Sequence, residues 1–203
     1  MENEKYLNDI SEIKNLMNKS SRFISLSGLS GILAGIYALV GALLAYKTVS
    51  LDISNFDLNI SETAIIRLLI IASSVLGLSI VTGILLSISK AKKSNENIWN
   101  TASKRLVINF MIPLATGGFF IIFLIEKNIF GLIAPLTLIF YGLACVNASK
   151  YTLGDVRYLG ITMIILGILS TWFIGYGLLF WALGFGVCHI LYGSLMYFKY
   201  ERK

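Results

Sequence analysis

The 203-residue chain is 56% hydrophobic and 14% charged, with a formal charge of +6 and a mean hydropathy of +0.77. Soluble domains carry about 25% charged residues, so this chain lacks the material for a water-facing surface. The class that fits is an all-α polytopic membrane protein.

Residues 1–22 are polar and hold as many acids as bases, unlike the basic, cleavable start of a signal peptide. Tyr6, Ile10, Ile13 and Met17 recur at steps of four and three, which predicts a cytoplasmic amphipathic helix. It would lie on the inner leaflet or meet a protein partner or a second copy of the chain.

Residues 23–203 read as one transmembrane domain. A helix crossing a hydrocarbon core of ~30 Å needs ~20 apolar residues. Six runs approach or exceed that length, at 23–46, 64–89, 106–125, 129–146, 158–174 and 178–198. Short connections at 126–128 and 175–177 predict hairpins, and faint similarities between the inner ends of the spans suggest three tandem helical hairpins. Between spans one and two, Val49, Leu51 and Ile53 are placed to oppose Ile60, Leu58 and Phe56 across Ser54-Asn55. That register predicts a small outer β-hairpin.

The bases are asymmetric. Fourteen of the 17 lie at one side of the six spans, and Lys47, Arg67 and Lys127 lie at the other. The positive-inside rule puts both termini in the cytoplasm, in a plasma membrane of the bacterial inner-membrane kind. The basic excess is thus a topology signal, attractive to anionic lipid, with no call for nucleic acid. Cys145 and Cys188 fall toward the cytoplasmic side, where a structural disulfide is not expected.

Span one carries a small-residue stripe: Ser27, Gly31, Gly35, Ala38 and Ala42. Such stripes let helix backbones approach closely in lipid, within the bundle or in a homodimer. Pro113 and Pro135 predict kinks or local unwinding. FIGYG, residues 173–177, matches the end of a potassium-channel filter, but it falls where spans five and six must turn and is read as a turn.

His189 is the single histidine, flanked by Gly186 and Gly193 and followed by Tyr192. Intramembrane ionisable groups are candidate sites, so His189, Tyr192, Tyr141 and Asn109 form a candidate polar site. A structural, hydrogen-bonded His189 is the competing reading. No Asp or Glu lies within a span, which argues against proton- or sodium-coupled transport. No catalytic constellation, cofactor motif or metal-ligand set is visible. Two functions follow as expectations: a non-enzymatic sensor, regulator or assembly partner, or a small permease or channel for a neutral or weakly charged solute.

Overall fold

A computed structural model of the chain describes residues 6, 23, 26–53, 61–94 and 98–202. The expected amphipathic helix at 1–22 lies, Tyr6 apart, outside the described residues. The described residues are mostly helical, with no strand among them.

We number the helices α1 (Gly28–Ile53), α2 (Glu62–Lys93), α3 (Thr101–Glu126), α4 (Ile133–Ala148), α5 (Val156–Trp172) and α6 (Gly177–Tyr200). A 3₁₀ turn, Phe130–Leu132, precedes α4, and a π-helical segment, Ala182–Cys188, interrupts α6. Counting α4 with its 3₁₀ turn, five helices among the described residues are long and apolar enough to cross a membrane, and α5 has 17 residues.

Capping chemistry sets several boundaries. Ser61 accepts from the Ala64 N–H at the start of α2. Asn100 and Ser103 form a reciprocal capping box that starts α3 five residues before the apolar run does. At the α3–α4 turn Asn128 has φ 58°, a left-handed conformation that asparagine tolerates. FIGYG is a turn. Tyr176 N–H donates to the Phe173 carbonyl at 3.1 Å, and Gly175 supplies the φ of +102° that the reversal needs.

The expected β-hairpin is corrected. Residues 49–53, its first strand, continue α1 as helix, and residues 54–60 lie outside the described residues. Nothing between Val49 and Ile53 breaks a helix, and continuing it satisfies each backbone group within the segment. Pro135 is also corrected: it sits in the first turn of α4, where a missing N–H interrupts no intrahelical bond.

Across the bundle the order is α2, α1, α6, then α4 with α5, then α3. Helices α2 and α3, consecutive in the chain, therefore stand at opposite edges. The most extensive packing is α4 on α5, at a mutual glycine contact. A Cβ on Gly142 would meet the Gly160 carbonyl oxygen at 2.6 Å, and one on Gly160 would meet that of Gly142 at 2.7 Å.

The interior is built from small residues, among them Ala38, Ala42, Ala91, Ala102, Ala144 and Ala148. Large apolar side chains point outward: Ile70 is 60% exposed, Leu85 60%, Phe119 75% and Ile122 62%. Water would penalise such a surface, whereas lipid solvates it and rewards close backbone packing. This distribution fits contact with a bilayer.

Candidate functional site

Helices α4 and α6 bring Tyr141 and His189 together. The Tyr141 hydroxyl lies 2.8 Å from His189 Nε2, and His189 Nδ1 lies 3.0 Å from the Gly184 carbonyl oxygen. A carbonyl only accepts, so Nδ1 carries the proton. In the neutral ring Nε2 is then an acceptor, and Tyr141 donates to it. Both ring nitrogens are used, and His189 is 6% exposed.

The π-helical segment makes this possible. Its wider turn brings the carbonyl five residues back within reach of the imidazole. Aromatic rings enclose the pair. Phe185 stacks on His189 with centroids 5.8 Å apart and meets the Tyr141 ring at 5.0 Å. Phe110 of α3 closes the other side of Tyr141, edge-on at 5.8 Å. Leu138 and Met163, both fully buried, form the adjacent core.

Tyr192 packs against this core, and its hydroxyl is buried without a hydrogen-bond partner, as is that of Ser170. Asn109 lies elsewhere, on the α3–α4 seam. Pro113 has no N–H for the carbonyl four residues before it, which is that of Asn109. Asn147 of α4 supplies the missing donor: its Nδ2 meets the Asn109 carbonyl oxygen at 2.9 Å. The Asn109 side chain turns back to the Arg105 carbonyl at 2.8 Å. The four candidate residues thus divide into a Tyr141–His189 pair, a neighbouring Tyr192 and a separate Asn109.

The small-residue stripe faces α6 of the same chain. A Cβ on Gly35 would lie 2.6 Å from the Gly186 carbonyl oxygen, and one on Gly31 3.2 Å from Gly193 Cα. Ser27, Ala38 and Ala42 are buried.

A second polar assembly surrounds the start of α1, and sequence reading missed it. The Glu201 carboxylate, just past α6, accepts from the Gly28 N–H, from Ser27 Oγ at 3.4 Å and from Lys90 Nζ at 3.2 Å. Lys90 also donates to the Leu26 carbonyl at 2.8 Å. On the other flank Phe23 N–H donates to the Tyr151 carbonyl at 2.8 Å, and Thr152 Oγ1 donates to the Phe23 carbonyl at 2.7 Å. A carboxylate at a helix N-terminus meets both free N–H groups and the positive end of the dipole. Gly28 and Glu201 are 173 residues apart, so no local pattern marks the pair.

Nearby, Lys199 Nζ lies 2.7 Å from Asp155 and the Tyr200 hydroxyl 2.9 Å from it. The hydrogen bond from Lys199 holds the Asp155 carboxyl below its usual range, and Tyr200 adds to this.

Chemically, the Tyr141–His189 pair fixes two helices and exposes no nucleophile. Cys145 and Cys188 are free thiols, Cys145 buried. Among the described residues no group of three or more His, Cys, Asp or Glu could hold a metal ion. Comparisons with protein-family models, with curated proteins and with solved structures each find no match.

Proposed function

We propose that the chain is a multi-pass plasma-membrane protein, with both termini cytoplasmic, that acts without catalysis as a sensor, regulator or assembly partner. The observation that carries this reading is the collar around Phe23–Gly28. Hydrogen bonds from the α4–α5 loop, from α2 and from the end of α6 grip the segment that leads into α1. The residues just ahead of α1 are thereby held by three separate parts of the bundle. The stripe of Tyr6, Ile10, Ile13 and Met17 is the contact we assign to a partner. Three helical hairpins, with this amphipathic helix ahead of them, complete the proposed architecture.

The test places a photo-crosslinking residue at Ile13 in living cells, with cysteines at Asn95 and Lys203 reporting topology. A single discrete adduct, with neither cysteine labelled from outside, is expected.

A second reading, a permease for a neutral or weakly charged solute, draws on the unpartnered Tyr192 hydroxyl beside the Tyr141–His189 pair. Proteoliposomes separate the two readings. Glycerol or urea flux above that of empty vesicles, lost in Tyr141→Phe, would replace the first with the second.

A further inference from the structure

We infer that the corner formed by the start of α3 and the end of α4 seats the phosphate headgroup of one anionic phospholipid, with Lys104, Arg105 and Lys150 as its ligands. The inference needs only bilayer contact and is independent of the regulatory reading.

Charge bookkeeping at this end of the bundle comes first. Its two described carboxylates are already engaged: Asp155 by Lys199 and Tyr200, and Glu201 by Lys90, Ser27 and the Gly28 N–H. Neither neutralises the corner. Lys104, Arg105 and Lys150 are all exposed, and none has an ion-pair partner among the described residues.

The α3–α4 contact puts these three at the same end of one seam. The bond from Asn147 to the Asn109 carbonyl pins α3 to α4. One turn toward the helix ends from that bond lie Arg105 and Lys104 on α3, and Lys150 just past the last turn of α4. Trp99 marks the same level. It is 62% exposed, and Lys104 Nζ lies 5.9 Å from its ring centroid. An exposed indole beside cations suits the headgroup region of a bilayer.

The same face also carries an apolar track. From Arg105, steps of three and four lead to Ile108 and Ile112, each 59% exposed, and on to Ala115. Ten residues of helix rise about 15 Å, half of the ~30 Å hydrocarbon thickness. A charged patch ending in one leaflet's length of exposed apolar helix matches a phospholipid better than a dissolved anion, which would have no use for the track.

The probe is phosphatidylglycerol titrated into the purified full chain in a zwitterionic detergent, with bound lipid counted by native mass spectrometry. The variant Lys104→Gln/Arg105→Gln/Lys150→Gln is compared with Lys92→Gln/Lys93→Gln/Arg157→Gln, which removes the same charge from other exposed positions. Each base near an anionic surface contributes about fivefold. Bases that hold a seated headgroup should therefore cost at least about tenfold when removed, whereas purely diffuse attraction would weaken both triples alike. The control is expected to lose several times less than the corner triple. Lys150→Glu alone, which touches only an exposed side chain, provides the same readout if a triple variant folds poorly.

Equal losses in the two triples would reduce the corner to diffuse surface attraction and overturn the inference. So would phosphatidylcholine held as tightly as phosphatidylglycerol. Displacement of the lipid by millimolar inorganic phosphate would reassign the corner to a soluble anion.

Discussion

Replacing Gly35 by alanine probes the α1–α6 contact with the smallest available perturbation. The new Cβ would lie 2.6 Å from the Gly186 carbonyl oxygen, 2.6 Å from Ile190 Cγ1 and 3.0 Å from Ile190 N. Two of these are backbone atoms of α6, so no side-chain rotation relieves them and the helices must part. Overpacking of this kind costs about 1–3 kcal/mol. Alanine also gains roughly 1 kcal/mol over glycine as a helix former, which would mask part of the cost. Gly77 supplies the correction. It is helical, and a Cβ there meets nothing within 4 Å, so Gly77→Ala carries the propensity gain alone. The difference between the two variants isolates the steric cost, expected at about 1–3 kcal/mol. Gly31→Ala should fall between them, because its nearest atom, Gly193 Cα, is 3.2 Å away. Equilibrium unfolding in mixed micelles with rising dodecyl sulfate, followed by tryptophan fluorescence, gives all three values. Gly35→Ala and Gly77→Ala agreeing within about 0.3 kcal/mol, the usual scatter of independent sites, would show that α1 and α6 are not in backbone contact.

His189→Phe removes the acceptor of the Tyr141 hydroxyl and the donor to the Gly184 carbonyl, and should cost about 1–3 kcal/mol in the same assay. Diethylpyrocarbonate should modify wild-type His189 slowly, and rapid modification would contradict its burial. Glu201→Ala strips the cap from α1 and the partner from Lys90. A loss of about 1–2 kcal/mol is expected, as for other N-caps, and Glu201→Gln should recover part of it. Asp155 has a lowered folded-state pKa, so its contribution to stability is complete above the ordinary carboxylate range of about 3.9. That contribution is lost as pH falls through the lower folded value. Asp155→Asn should flatten the acid limb of a stability–pH profile, and an unchanged limb would refute the assignment.

The apolar helices were legible because each is written as a long uninterrupted apolar run, and the turn at FIGYG because two glycines sat between two such runs. Helix starts shifted where polar capping residues extended them, as Asn100 and Ser103 do for α3. The β-hairpin failed for a physical reason. Alternation over five residues also occurs in a helix, and residues 49–53 had no breaker to stop α1. Among the candidate site residues, His189 and Tyr141 meet, while Asn109 belongs to another seam. The chemistry of a residue type was readable, but its neighbour was not. Glu201 shows this limit most clearly, because its partners lie across the bundle in α1 and α2.

Asn147 provides the sharpest test of what polar side chains do inside this bundle. Pro113 in α3 and the π segment of α6 each interrupt the regular helical ladder. At each, a polar side chain meets a carbonyl that the regular ladder would leave differently paired, Asn147 at Asn109 and His189 at Gly184. If Asn147 answers Pro113, the two residues must be energetically coupled. Asn147→Leu alone leaves the Asn109 carbonyl with neither a backbone nor a side-chain donor, at a cost of about 1–3 kcal/mol. In a Pro113→Ala background the restored N–H donates to that carbonyl, and Asn147→Leu should then cost little. The double-mutant cycle should give a coupling of about 1 kcal/mol or more, within the range for residues sharing one network. Additive losses would mean that Asn147 serves another partner and that the proline has been accommodated without it.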